Sequence, residues 1–463
     1  MRRVRWRMFL TAAAVAVALM AACPASQAAG TPGPHKEEWW FSGWALQQNV
    51  WPLTKGRGVT VAIIDTGVNA GLPDLDGTVV PGKDNERPSD RGMVDHDDGP
   101  GHGTGMASLI VAQGGATGWI GVAPEAKILP IANMSDDPDH VAISIRYAAD
   151  HGAKVISMSF STTWSGNPPC PQVVQEAVVY AAAHDAVLVA GSGNSGNRNN
   201  FSAFPAGCPG VVAVGAIQAQ GLKPWAATQR KDYVAVAAPG AQVGSIGKDG
   251  HLYHYGDGTS QATALTSGVV ALIRAKNPGM PAREVVQRLI NTAKDVGPRG
   301  KDDQTGYGLI IADKALTANV PASAPNPVYA ALDAWKAEHT RQQRQLTQAP
   351  NLGQRTSSGS DGIGSGLVLT GGALALLLGL AALVLMALRR RRPAPTAGPP
   401  QYGPPQYGPP TGGPPQYGPP SHGPNPGQGP APGEPPYGRQ PYGEQPQRYS
   451  GPGQPPHGNR GPS

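Results

Sequence analysis

Short apolar runs alternate with amphipathic stretches across residues 40–320. Runs rich in Val, Ile and Ala occupy 59–64, 127–131, 154–158, 186–190, 211–214 and 233–237. Between several of them lie segments with helical spacing of apolar positions, such as 139–150 and 172–184. Strands that are apolar throughout, rather than alternating, are buried on both faces. Their alternation with helices therefore predicts an α/β fold with a mostly parallel central sheet covered on both sides. A stretch of about 280 residues is enough for one large domain of this kind. Two more helices are expected, over 104–111 and over 261–276. Ahead of the domain, Trp39, Trp40 and Trp44 are spaced to share a helix face and to pack onto it.

The ends of the chain carry a different pattern. Residues 1–28 read as an export signal: Arg2, Arg3, Arg5 and Arg7, then an apolar stretch too short to span a bilayer, then Ser26-Gln27-Ala28 as a small-residue cleavage site. Residues 366–388 form an uncharged apolar segment of about the length a helix needs to cross a membrane. Arg389 to Arg392 follow at once and place the downstream side in the cytoplasm. The expected organisation is a signal (1–28), an N-terminal extension (29–54), the α/β domain (55–319), a linker (320–365) with a helix over 328–345, one transmembrane helix (366–388) and a cytoplasmic tail (389–463). The tail repeats Gln-Tyr-Gly-Pro-Pro at 401–405, 406–410 and 416–420, a composition too rich in Pro and Gly to build a core. The chain is thus expected at the cell membrane as a single-pass protein with its α/β domain outside.

This topology changes the meaning of the charge. Taking the eight arginines of the two membrane-flanking clusters from the net +6 leaves the remainder at −2, so the basic balance reports membrane orientation and gives no support to nucleic-acid binding. If Cys23 leaves with the signal, Cys170 and Cys208 remain as an even pair in an oxidising compartment, and a disulfide between them is expected.

Candidate chemistry sits in glycine-marked turns. Asp65 ends an apolar run and precedes Thr66-Gly67; His102 lies in Gly101-His102-Gly103-Thr104-Gly105; Ser260 lies in Gly258-Thr259-Ser260 at the mouth of a helix. An acid, a base and a nucleophile in that order point to acyl transfer, most simply peptide-bond hydrolysis. A helix N-terminus offers the nucleophile a positive field and unpaired N–H groups. Asn194, in the Gly-rich turn after 187–190, is positioned to donate to a developing oxyanion. Asp95-His96-Asp97-Asp98 raises the question of calcium, but no full ligand set is visible and a solvated loop is expected, with no metal and no cofactor.

These segments resemble the subtilisin-like serine protease family over most of 55–318. The resemblance implies Asp65 as orienting acid, His102 as general base and then acid, Ser260 as nucleophile and Asn194 as oxyanion donor. It also implies that Ser159, Phe160 and Ser161 line the cleft and pair with extended substrate. Within that family the signal, the Trp-rich extension and the single C-terminal span resemble the mycosins, the membrane-anchored proteases of type VII secretion. That likeness implies protein or peptide substrates, the secretion membrane complex as partner, and a second, non-proteolytic role in stabilising that complex. A mainly structural component and a general extracellular processing protease are the competing readings. Ala264, Gly105 and Ser161 depart from residues frequent in the family, which are Pro, His and Gly.

Overall fold

The computed structural model describes residues 32–166 and 169–348. The expected signal (1–28), transmembrane helix (366–388) and tail (389–463) lie outside the described residues. Among the described residues no helix is long and apolar enough to cross a membrane.

The apolar runs form the strands. In chain order they are β1 (Thr60–Asp65), β2 (Lys83–Asp84), β3 (Lys127–Ala132), β4 (Val155–Met158), β5 (Thr162–Thr163), β6 (Val187–Gly191), β7 (Ala203–Phe204), β8 (Val211–Ile217), β9 (Val234–Pro239), β10 (Ser245–Ile246) and β11 (Leu252–Tyr253). Seven of them build one sheet in the order β2-β3-β1-β4-β6-β8-β9. Every pairing in it is parallel. β4, β6, β8 and β9 are buried along their whole length, as expected of strands covered on both faces.

The helices, in chain order, are α1 (Trp40–Gly43), α2 (His102–Val111), α3 (Pro138–Asp150), α4 (Gln172–Ala183), α5 (Thr259–Lys276), α6 (Ala282–Asn291), α7 (Ala312–Thr317) and α8 (Pro327–Gln348). α2 and α5 pack against each other on one face of the sheet, and α3 and α4 cover the other. α5 is buried from Ala262 to Arg274: most of its residues are small or apolar, the hydroxyls of Thr263 and Thr266 donate to carbonyls one turn back, and Arg274 pairs with Asp185.

The tryptophan segment is not one helix. α1 is a single turn, and Ala45 then takes a left-handed conformation (φ 50°) before a π-turn over Leu46–Val50. Trp40 and Trp44 are nonetheless fully buried, Trp40 edge-on to Trp119 with centroids 6.0 Å apart. Phe41 meets Trp51 edge-on at 5.3 Å, and the Trp51 indole N–H donates to Val122 O at 3.0 Å. Each buried aromatic removes about 150–250 Å² from water, about 4–6 kcal/mol of transfer free energy before ordering costs.

The linker helix also joins the body. Val328, Tyr329 and Leu332 of α8 are buried in the core, and Arg283 pairs with both oxygens of Asp333 at 2.9 Å.

Candidate active site

In a parallel sheet all carboxyl ends lie on one edge, and here those of β1, β4 and β6 stand side by side. Asp65 is the last residue of β1, Ser159 follows β4, and Asn194 lies three residues beyond β6. His102 opens α2 and Ser260 is the second residue of α5, so two helix N-termini face that edge.

Asp65 is 5% exposed and its Oδ1 takes two hydrogen bonds, from Thr66 N at 2.9 Å and from the His102 ring at Nδ1, 2.7 Å away. Its Oδ2 is buried with no hydrogen-bond partner among the described residues. The His102 side chain remains 35% exposed. Burial of the ring pulls the His102 pKa down, but the Asp65 carboxylate, its hydrogen bond, and Asp97 and Asp95 behind it prevail and raise it to about 9. In the neutral ring, a proton on Nδ1, held by Asp65, leaves Nε2 as the acceptor; below about pH 9 the ring carries a second proton there.

Ser260 and Ser159 are cross-linked in both directions. Ser260 Oγ donates to Ser159 O at 2.8 Å, and Ser159 Oγ donates to Ser260 O at 3.1 Å. Among the described residues Ser260 makes no hydrogen bond to His102, so the hydroxyl rests on the strand side. Catalytic hydrogen bonds are often loose before substrate arrives.

Asn194 is fixed by its oxygen. Oδ1 accepts from Thr259 N and from Thr259 Oγ1, both at 2.9 Å. The amide nitrogen is thereby turned toward the N-terminus of α5, 3.4 Å from where a β-carbon on Gly258 would sit. The first N–H groups of a helix have no intrahelical partner, so the Ser260 N–H and the Asn194 amide form a donor pair.

Phe160 is partly buried against the core and Ser161 is exposed. The strand continues into β5, which pairs antiparallel with β7. Thr162 Oγ1 donates to Asp136 Oδ1 at 2.7 Å, joining the loops that leave β4 and β3 on either side of β1. Cys170 and Cys208 are disulfide-bonded across a separation of 38 residues.

The 95–98 stretch is not a solvated loop throughout. Asp95 is 7% exposed and bonded on both oxygens, while His96 Nε2 lies 2.7 Å from Asp84 Oδ2 and its Nδ1 faces the Arg87 guanidinium. The turn folds inward because Gly67 lets it approach: a β-carbon there would lie 1.9 Å from Val94 O. Asp84, Asp90 and His96 bring ligand atoms within 4.8 Å of one another. Both nitrogens of His96 are already engaged by protein groups, and the positive charge of Arg87 disfavours a cation there.

Gly105, where the family often has His, also has a local reason. A β-carbon at 105 would sit 2.9 Å from Ser245 Oγ, and Ser108 Oγ accepts from Ile246 N at 3.0 Å, so the β10–β11 hairpin rests directly on α2.

A buried carboxylate on a histidine, a serine and an amide donor at a helix mouth, and an all-parallel central sheet are together the frame of a subtilisin-like serine protease. The profile of Peptidase_S8, the subtilase family, matches residues 56–308, more than half of the chain, and the chain belongs to that family. It is a mycosin-type member. Mycosin-3 of Mycobacterium tuberculosis (strain ATCC 25618 / H37Rv) is 34% identical over 333 residues, an alignment covering 59% of this chain and 70% of the mycosin. The solved structure of the MycP3 protease from the type VII (ESX-3) secretion system superposes with a TM-score of 0.53 at 33% identity, covering 62% of this chain and 89% of that one. Fervidolysin of Fervidobacterium pennivorans is 35% identical over 319 residues, 62% of this chain but only 44% of its own length.

Proposed function

We propose that this chain is a membrane-anchored extracytoplasmic endopeptidase in which Asp65, His102 and Ser260 form the catalytic triad. The observation that carries the reading is the 2.7 Å bond between Asp65 Oδ1 and His102 Nδ1, which holds the ring in the tautomer a general base needs. In the proposed cycle Ser260 Oγ leaves Ser159 O by rotation about χ1 and presents its proton to His102 Nε2. The oxygen attacks the scissile carbonyl carbon. The developing oxyanion is met by the Asn194 amide and the Ser260 N–H. His102 then protonates the leaving amine, and water repeats the steps to release the acyl group. Ser159, Phe160 and Ser161 offer a strand edge for extended substrate.

The leader at 1–28, the apolar 366–388 segment and the arginines after it support an external domain, one membrane crossing and an internal tail. Likeness to a protease of a type VII secretion system supports work alongside such a membrane complex. Cleavage of a peptide library by the purified protein tests the catalytic reading: cleavage is expected from the native chain and none from Ser260→Ala. Equal cleavage by both, or none by either, defeats it.

A second reading is favoured by one observation, the hydroxyl of Ser260 resting on Ser159 O. Here the domain serves the secretion complex mainly as a structural component. Full rescue of secretion by Ser260→Ala supports this reading, and loss of secretion supports the protease.

A further inference from the structure

We propose that Asp95 is a positioning residue for the general base: its carboxylate locks the turn after β1 to the first turn of α2 and so fixes Asp65 against His102. The inference rests on the catalytic reading of that pair.

The carboxylate has a partner on each side. Oδ1 accepts from Thr66 Oγ1 at 2.7 Å and from Asp97 N at 3.1 Å. Oδ2 accepts from Thr104 N at 2.8 Å and from Thr104 Oγ1 at 2.6 Å. Both hydroxyls pass the connection on: Gly103 N donates to Thr66 Oγ1 at 2.9 Å, and Asn69 N donates to Thr104 Oγ1 at 3.0 Å. Thr66 adjoins Asp65 in the chain and Gly103 adjoins His102. Thr66 thus meets Gly103 directly, and Asp95 braces that contact by tying the same Thr66 hydroxyl to the N–H and hydroxyl of Thr104.

Helix capping is the simpler role. Gly101 precedes α2 at φ 100° and has no side chain with which to cap it, so Asp95 supplies the acceptor and a negative charge at the helix N-terminus. A cap needs only Oδ2, however. The Oδ1 bond to Thr66 reaches the strand that carries the acid, and a capping role gives no reason for it.

The ionisable groups around the imidazole are Asp65 from β1, Asp95 and Asp97 from the loop, and Lys248 from the hairpin, whose Nζ donates to Asp97 O. The three carboxylates raise the basicity of the ring.

The test is the rate at which a fluorophosphonate labels Ser260 of the full chain in detergent, measured across pH. In Asp95→Asn one carboxylate oxygen becomes an NH₂ group that cannot accept, so either the Thr66 side or the Thr104 side is lost. The expected result is a high-pH plateau lowered about 10- to 100-fold, the scale of a small misplacement of reacting groups, with the acid limb moved to lower pH. An unchanged plateau and limb overturn the inference. Should Asp95→Asn fail to fold, Asp95→Glu decides, because it keeps the negative charge and leaves the Thr66–Gly103 bond in place while moving the carboxylate oxygens out of register with Thr66 and Thr104. A lowered plateau supports positioning, and a native plateau overturns it. Absence of labelling in the native chain instead defeats the catalytic reading, and this inference with it.

Discussion

Replacing Asp65 by Asn keeps the shape of the site and removes its charge, and the local hydrogen bonds set the consequence. Thr66 N and the His102 ring both use Oδ1, while Oδ2 is buried without a partner. If the amide oxygen of Asn takes the Oδ1 position, His102 keeps its tautomer but an NH₂ group is buried without an acceptor, at about 1–3 kcal/mol. If the NH₂ takes that position, it opposes the Thr66 N–H and forces the ring proton onto Nε2, where it can no longer accept from Ser260. Either way the imidazolium loses its counter-charge, worth about 4 kcal/mol at about 4 Å with an effective dielectric near 20. The buried NH₂ weighs on free enzyme and transition state alike, so the lost counter-charge sets the rate effect, and about 4 kcal/mol is about 10³-fold. The assay is the second-order rate of fluorophosphonate labelling against pH, with folding checked by thermal unfolding. The expected outcome is a fall of about 10³-fold, with the acid limb moved down from about 9. A variant that labels at the native rate with the native pH limb refutes the reasoning.

Asn194→Ala removes the proposed oxyanion donor and should lower kcat by about 10²–10³-fold with a smaller effect on KM, measured on a peptide identified by library cleavage. Replacing both Cys170 and Cys208 by Ala should cost about 4 kcal/mol, the loop-closure value for a 38-residue separation, read from denaturant unfolding. Stability should fall as pH rises from the mildly acidic into the alkaline range. Burial raises Glu38 from its ordinary 4.5 to about 8 against the lowering effect of bonds from His35 N and Ile120 N, with Glu37 adding to the rise. Its contribution is fully present below 4.5 and lost as pH climbs through about 8. His102, also raised, contributes fully below 6.5 and loses that contribution as pH climbs through about 9. Glu38→Gln should flatten the first part of this slope in urea titrations at successive pH values, whatever its effect on absolute stability.

The sheet was legible because six of its strands are apolar runs, and β1, β3, β4, β6, β8 and β9 each lie within a residue or a few of the run that announced them. β2, β5, β7, β10 and β11 are two residues each, too short for any periodicity to register. α6 is not among the helices expected from the sequence, although Val285, Val286, Leu289 and Ile290 recur at helical spacing after Pro281. The tryptophan segment misled because its spacing suits a helix and nothing in Ala45, a good helix former, signals a left-handed residue. In the linker helix, Val328, Tyr329 and Leu332 were the sign of docking in an otherwise polar segment.

At the site, Asp65, His102, Ser260 and Asn194 stand out by residue type and neighbouring glycines. Asp95 does not, because its role exists only when the 93–97 turn folds down onto Gly67 and α2. In sequence it is one acid in a polar run. The resting contact of Ser260 with Ser159 O is likewise a matter of rotamer and carries no sequence signal.

The central claim is that Ser260 is a nucleophile made reactive by His102. Mass-spectrometric mapping of the fluorophosphonate adduct on the native chain, on His102→Ala and on Ser260→Ala tests it most directly. The account predicts one adduct on Ser260 of the native chain, a rate reduced by several orders of magnitude in His102→Ala, and none in Ser260→Ala. An adduct on another residue, or equal labelling of the native and His102→Ala chains, contradicts it.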